Sequence, residues 1–380
     1  MVLLIGAGLL IRSFARLRNV NPGFRPDRLL TAQISLPQSK YHENFQVAGF
    51  YQQLLERLQA LPEIQSAAVV SRLPLSGGGR GGDPFSIEGR PYDASGKVPQ
   101  VAVYQVVSPA YFRTMQIPLV AGRAIEDRDS DGSLPVAVIS QTMARGFWPD
   151  QDPLGKRIVM GAPRPGAAWL TIVGVVADVQ NASLDVAPIP QIYGSQLQNP
   201  VRSMVVVTRS AADAAGLASA LSRQVAALDR DQPVYNVRTM EQRLANAVSQ
   251  PRFQTLLLGA FAAVALLLSA LGIYGVVAHS VTQRTQEIGI RVALGATPAS
   301  VLRLVVVQGM APALLGLVFG LAGSLALSRV VASLLYGVSS TDPLTFAAAI
   351  PILAAIALLA CYIPARRATQ VDPLVALRHE

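Results

Sequence analysis

The sequence predicts an α-helical membrane domain with three full transmembrane helices and a truncated first one, joined to a large α+β extracytoplasmic domain. The chain of 380 residues is 51% hydrophobic and only 14% charged, and its mean hydropathy is positive. Residues 253–283, 304–328 and 343–365 contain no Asp, Glu, Lys or Arg, and each run exceeds the roughly 20 residues that a spanning helix needs. A long polar stretch rich in Pro and Gly separates these runs from a short apolar N-terminus.

The N-terminal segment, residues 1–21, is apolar only as far as Ile11, and Arg12 then follows. Eleven helical residues rise about 16 Å, roughly half a bilayer core. A signal peptide would have positive charge before the apolar stretch and small residues at a cleavage site after it, and this segment has neither. We expect the outer half of a first transmembrane helix followed by a stalk, in a chain that is a fragment of a longer one.

Residues 22–250 have the mixed pattern of a globular domain. Residues 29–36 alternate like a strand, residues 45–61 have the spacing of an amphipathic helix, and residues 67–71 return to strand character. Other stretches predict four more strands and one more helix. They are residues 100–107, 136–140, 170–177 and 203–208 for the strands and 214–228 for the helix. The pattern predicts an α+β domain that opens with a β-α-β unit.

Residues 251–366 form the predicted membrane domain, with spans at about 253–281, 298–328 and 343–365 and a tail at 367–380. The first connection carries Arg284, Arg291 and Arg303, and three further arginines follow the last span, whereas Arg329 is alone in the other connection. Because arginines near membrane ends favour the cytoplasm, we expect the first connection and the C-terminus there, and the α+β domain on the other side.

The first connection predicts a short amphipathic helix over residues 285–294. Glu287 and Arg291 stand at i,i+4 with Glu on the N-terminal side, and apolar residues repeat at the same spacing. Gly295 suits the C-terminal cap, and Pro298 suits the first turn of the next helix. This short helix is either a solvated connector or a surface for a partner, and its spacing leaves both open.

Small residues recur every four positions in the predicted span 298–328, at Gly316, Gly320 and Ser324. Such a face lets another helix approach closely in a membrane. The partner is a helix of the same chain or, less favoured, a helix of a second copy.

Composition argues against nucleic-acid binding and against enzyme chemistry. The net charge is +9, but the basic residues are scattered and lack interleaved aromatic residues. The phosphate-binding pattern G-x-x-x-x-G-K-[ST] is absent, and the three histidines lie far apart. A single cysteine, Cys361, excludes an internal disulfide or a cysteine metal cluster. No catalytic, cofactor or metal site is therefore predicted.

Residues 127–132 resemble the first half of a calcium loop, with Asp127, Asp129 and Asp131 at alternate positions. However, the position that needs a bidentate Glu is Val138, and Pro135 interrupts the ligand stretch. We therefore expect a solvated acidic turn.

Long motifs in this chain resemble a known family. Residues 252–296 read RFQTLLLGAFAAVALLLSALGIYGVVAHSVTQRTQEIGIRVALGA and closely resemble the FtsX-like permease signature, and residues 364–380, PARRATQVDPLVALRHE, resemble the ending of that family. Three stretches resemble the MacB-type periplasmic core domain: VVSPAYFRTMQIPLVAGR, VISQTMARGFWPDQDPLGKRI and TIVGVVADV. Residues 3–24, LLIGAGLLIRSFARLRNVNPGF, resemble the stretch before the second core domain in long duplicated permeases.

The resemblance implies a MacB-like/FtsX-like permease of the bacterial inner membrane that works with a separate ABC ATPase and as a dimer with a second protomer. It implies that ATP-driven closure of the ATPase moves the extracytoplasmic domain, for efflux or extraction. Carried over to this chain, the ATPase-docking residues are Glu287, Ile288, Gly289, Arg291 and Gly295. Two alternatives stay open: a non-transporting regulator that acts on extracytoplasmic partner proteins, and a membrane scaffold without an ATPase.

Overall fold

The structure is a computed structural model. It describes residues 1–18, 20–76, 81–90, 100–181, 183–184, 186–211, 216–247, 249–284, 287–288, 290–291, 294, 296–331, 339 and 341–368. The chain divides into two compact units, an α+β unit of residues 20–248 and a helical unit of residues 1–19 and 249–380.

The α+β unit contains eleven strands and five helices in its described residues. The strands are β1 Leu29–Ser35, β2 Ile64–Val70, β3 Asp83–Ile87, β4 Val101–Val107, β5 Leu119–Gly122, β6 Val136–Ser140, β7 Arg157–Met160, β8 Leu170–Val176, β9 Gln191–Ser195, β10 Ser203–Ser210 and β11 Tyr235–Thr239. The helices are α2 Asn44–Gln59, α3 Tyr111–Met115, α4 Gln141–Phe147, α5 Leu217–Leu228 and α6 Met240–Ala247.

These strands form one sheet in the order β11-β1-β10-β2-β4-β3-β7-β8-β6-β9, with β5 paired to β8 and β4 also paired to β9. Strand β10 lies antiparallel between β1 and β2, so the two strands of the opening β-α-β unit are separated by a later strand. The core has two apolar clusters. One packs α2 and α5 on β1, β2 and β10, and the other packs α4 on β3, β6, β7, β8 and β9.

The connection into the α+β unit is fixed by close backbone contacts. Gly23 has a φ of +85°, and a Cβ there would lie 2.0 Å from the carbonyl oxygen of Asp178, so only glycine fits. The guanidinium of Arg209, buried in β10, donates hydrogen bonds to the carbonyl oxygens of Arg25 and Asp27 at 2.8 and 2.7 Å. Residues 22–27 thereby contact both strand β10 and the loop that follows strand β8.

The predicted acidic turn at residues 127–132 is wrong for its central residue. Asp129 is only 4% exposed, and its carboxylate accepts hydrogen bonds from both terminal nitrogens of Arg123 at 2.7 and 2.8 Å. Burial works to raise the pKa of Asp129, but the hydrogen bonds from Arg123 and from the Glu126 amide outweigh it, so the pKa lies below its ordinary value of 3.8. Asp127 and Asp131 are exposed, as expected for a solvated turn.

The helical unit is built from α1 Val2–Arg18, α7 Ser249–Gln283, α8 Pro298–Val331 and α9 Pro343–Ala368. Three stretches are long and apolar enough to cross a membrane: Arg252–Gln283, Ala299–Leu327 and Pro343–Arg367. Helix α8 begins at Pro298 as predicted, and Thr297 accepts a hydrogen bond from the Ser300 amide in the manner of an N-cap.

Helix α1 is not an isolated anchor, because it packs inside this unit. Ile5 and Leu9 are buried together with Phe346 of α9. Arg12 forms an ion pair with Asp342, whose carboxylate also accepts hydrogen bonds from the amide and hydroxyl of Thr345. Asp342 therefore caps the first turn of α9 and ties it to α1.

Candidate functional site: the turn helix and its groove

A short helical segment lies between α7 and α8, and we call it the turn helix. Its described residues Glu287, Ile288, Ile290 and Arg291 are helical. The amide of Leu294 donates to the carbonyl of Ile290, and the amide of Ala296 donates to the carbonyl of Arg291. A bond spanning five residues, like the second one, is typical of a helix C-terminus.

One apolar side chain anchors the turn helix. Ile288 is 5% exposed and packs with Val301 of α8, which is 3% exposed, while Val281 of α7 and Ala296 lie against the pair. At roughly 1.5–3 kcal/mol for a fully buried aliphatic side chain, this contact outweighs a surface ion pair. Ile288 therefore holds the turn helix against the two membrane helices.

The opposite face of the turn helix is open. Ile290 is 46% exposed and Leu294 is 83% exposed, and their spacing of four residues places them on one side of a helix. Beside them, Arg291 and Glu287 form the predicted i,i+4 ion pair at 2.7 Å, with both side chains about half exposed. The face thus combines two exposed aliphatic side chains with an ion pair.

The predicted docking residues have different places in the structure. Glu287 and Arg291 lie at the surface, whereas Ile288 is turned inward; the docking role of these residues stays a prediction. Gly289 and Gly295 lie outside the described residues. Sequence analysis missed Ile290 and Leu294 as surface residues, although their repeat was visible, because an apolar repeat does not say which side a helix buries.

An apolar groove of about 690 Å³ lies beside the turn helix. Its walls are α7 and α8, and its polar end is formed by Arg284, Glu287 and Gln308. The Arg284 guanidinium donates a hydrogen bond to the side-chain oxygen of Gln308 at 2.8 Å. This contact joins the end of α7 to α8 at the mouth of the groove.

The predicted small-residue face of α8 is used unevenly. A Cβ on Gly320 would lie 2.7 Å from the side chain of Met1, whereas one on Gly316 would meet nothing within 4 Å. Ser324 is buried, and its hydroxyl donates to the carbonyl of Gly320. Another close interhelical approach lies at Gly309, where a Cβ would lie 2.9 Å from Val277 and 3.0 Å from the sulfur of Cys361.

In the described part of the chain, no group of three or more His, Cys, Asp or Glu side chains could hold a metal ion. Among the described residues, the side chains that meet at the turn helix include an ion pair, an arginine with its amide partner, and aliphatic groups.

Comparison with known proteins matches almost the whole chain. Residues 2–224 match the model of the MacB-like periplasmic core domain, and residues 259–373 match the FtsX-like permease C-terminal model. The chain is 31% identical over 287 residues to the macrolide export ATP-binding/permease protein MacB of Rhodospirillum rubrum. This alignment covers 72% of this chain and 42% of that protein. It is 25% identical over 280 residues to the ABC transporter permease YknZ of Bacillus subtilis, covering 72% of this chain and 69% of that protein.

Among solved structures, the periplasmic region of MacB from Actinobacillus actinomycetemcomitans matches 59% of this chain and 95% of that chain, with 16% identity and a TM-score of 0.38. The chain spans less than half the length of the MacB protein from Rhodospirillum rubrum. The fold class predicted from the sequence is confirmed: three apolar helices suited to a membrane and a sheet-containing core domain of the MacB type. The chain belongs to the MacB-like periplasmic core domain family and carries an FtsX-like permease region, which makes it a membrane permease of the ABC transporter class.

Proposed function

We propose that this chain is a permease protomer that couples ATP hydrolysis by a separate ABC ATPase to movement of its α+β unit, in efflux or extraction across the bacterial inner membrane. The open face of the turn helix carries this proposal. A helix that is anchored by Ile288 and exposes Ile290 and Leu294 has the form of a docking surface. An exposed pair of large aliphatic side chains outside the apolar spans is unfavourable in water unless a partner covers it.

The proposal places the turn helix in the cytoplasm and the α+β unit outside. Arg284, Arg291 and Arg303 flank the connection between α7 and α8, and short connections rich in arginine are retained in the cytoplasm. These 380 residues contain no phosphate-binding loop motif, and the proposal assigns ATP hydrolysis to a separate ATPase subunit. A second protomer completes the permease as a dimer.

The relatives support this assignment by their names. One is called an ATP-binding/permease protein for macrolide export, and another an ABC transporter permease. The nature of the cargo is a separate question, since a name describes the relative and not this chain.

Co-purification from native membranes tests the docking surface. We expect an ABC ATPase to be recovered with the intact chain, and its recovery per permease to fall at least about ten-fold for Leu294→Asp or Ile290→Asp, because a charge at the centre of an apolar contact costs about 2 kcal/mol or more. Glu287→Lys should act in the same direction. It loses only about 0.5 kcal/mol within the helix, so membrane levels of the permease should stay normal.

The matched control is Leu134→Asp, which places the same charge on a side chain that is 65% exposed in the other unit. Equal ATPase recovery with Leu294→Asp and Leu134→Asp would contradict the docking surface and indicate that the turn helix is a solvated connector. Recovery of the permease without any ABC ATPase would favour the scaffold alternative.

A further inference from the structure

The groove between α7 and α8 has the dimensions of one lipid leaflet. Its lining extends along α7 from Gly272 to Arg284, a rise of about 18 Å at helical spacing. Half of a bilayer hydrocarbon core is about 15 Å thick. The apolar stretch of α7 that suits a membrane ends at Gln283, and Arg284 follows it directly.

The lining changes character along this length. Gly272, Ile273, Val276 and Val277 form the deep end on α7, and Gly272 contributes no side chain that would fill the space. Ser280, Arg284 and Gln308 form the shallow end. An apolar trough that opens onto a guanidinium matches an amphiphile with a long hydrocarbon chain and a negatively charged head.

Charge at the mouth favours an anion. The carboxylate of Glu287 is engaged by Arg291 at 2.7 Å, whereas the partner of Arg284 is the neutral amide oxygen of Gln308. Among the described residues, the ion pairs do not include Arg284. The charge of Arg284 is therefore held in place at the groove, where the one carboxylate among the lining residues, that of Glu287, is already paired with Arg291.

We propose that this groove is a binding site for one anionic phospholipid, with an acyl chain between α7 and α8 and the headgroup phosphate on Arg284. The bound lipid touches α7, α8 and Glu287 of the turn helix together. It therefore stabilises the arrangement in which the turn helix is held against the two membrane helices.

Native mass spectrometry of the purified full chain tests the site, with phosphatidylglycerol and phosphatidylcholine of identical acyl chains as probes. Phosphatidylglycerol should bind the unmodified chain about five-fold more tightly, the factor expected for one basic contact with an anionic headgroup. Arg284→Gln should reduce this ratio to near one, and Arg284→Lys should retain it. Arg303→Gln, an exposed arginine of α8 that does not line the groove, should leave the ratio unchanged.

A second pair of variants tests the position of the acyl chain. A Cβ on Gly272 or on Gly275 would meet nothing within 4 Å, but only Gly272 lines the groove. Gly272→Leu should weaken both lipids roughly ten-fold, since it takes the place of about two methylene groups, and Gly275→Leu should not. Equal affinity of the unmodified chain for the two lipids, or equal lipid binding by Gly272→Leu and Gly275→Leu, would overturn the proposal. A change in the monomer–dimer ratio of Gly272→Leu with lipid binding intact would also overturn it and make the groove an interface between copies.

Discussion

Three donors hold the Asp129 carboxylate: two guanidinium nitrogens of Arg123 and the amide of Glu126, at 2.7 to 2.8 Å. The sequence showed the alternating acidic residues, but it did not show that one of them, Asp129, pairs with Arg123. Arg123 lies six residues before Asp129, a separation that does not match the spacing of a helix or a strand, so the contact between the two side chains depends on the path of the loop. A buried ionised side chain needs such a partner, because desolvation without one costs several kcal/mol.

Replacing Asp129 by Asn tests this ion pair. The amide has the same shape but no charge, so the α+β unit should lose about 2 kcal/mol of stability and melt about 5 °C lower. Tryptophan fluorescence of the full chain in detergent measures this, because both tryptophans, Trp148 and Trp169, lie in the α+β unit. Asp131→Asn, a change at an exposed position of the same loop, should leave the melting temperature unchanged.

The same pair gives a pH dependence with a defined sign. The pKa of Asp129 in the fold lies below the ordinary value of 3.8, so its stabilising effect is complete above that value and is lost as the pH falls through the lower, folded pKa. The melting difference between the parent and Asp129→Asn should stay constant from pH 7 to about 5 and shrink below about 4. A difference that stayed constant down to pH 3 would mean that the charge of Asp129 is not the source of the stability.

At the scale of elements, α8 packs closely against two helices at Gly309, where it meets Val277 of α7 and Cys361 of α9. We expect Gly309→Leu to cost about 1–3 kcal/mol by overpacking and to reduce the monodisperse fraction after detergent extraction. Gly320→Leu, which would meet the side chain of Met1, should have a smaller effect because the unbranched Met side chain can change rotamer to make room. Gly316→Leu on the same helix should be tolerated, and equal losses for Gly309→Leu and Gly316→Leu would contradict the packing.

Periodicity predicted many of the elements, and its failures have a common cause. Strands β1, β4, β6, β8 and β10 lie where alternation or continuous apolar runs predicted them. Strands β3, β5, β7, β9 and β11 were missed, and each of them has only four or five residues, too few for a clear periodic pattern. Their pairing partners identify them as strands, and a partner far along the chain leaves no trace in a local pattern.

The three membrane-spanning runs were predictable because a bilayer imposes a length that composition alone reveals. The packing of helices inside the helical unit was not predictable, because a helix that is apolar on all sides gives no pattern to indicate which face contacts a neighbour. Gly309 was overlooked in favour of the regular spacing of Gly316, Gly320 and Ser324, although a Cβ on Gly316 would meet nothing within 4 Å among the described residues. The same holds for the candidate site. The turn helix was predicted, but the burial of Ile288 was not, because it depends on the contact with Val301 of α8.

At the scale of the whole molecule, the proposed topology can be measured by cysteine labelling. Cys361 is buried and is first replaced by alanine. In intact cells, a membrane-impermeant maleimide should label Asp131→Cys and should reach Leu294→Cys only after permeabilisation, because arginines favour the cytoplasm for the connection between α7 and α8. The reverse labelling would overturn the orientation and, with it, the coupling of a cytoplasmic ATPase to the α+β unit.

The order of the sheet has a practical consequence for isolating the α+β unit. Strand β11, residues Tyr235–Thr239, covers the outer side of β1, and Arg243 of α6 donates a hydrogen bond to the Thr31 hydroxyl of β1. The match to the MacB-like core domain ends at residue 224. A soluble fragment cut there would leave β1 as an unpaired edge strand with its backbone groups open to pairing with another molecule, and hence to aggregation. A fragment that stays soluble must therefore include the whole of α6 and extend to Ala247.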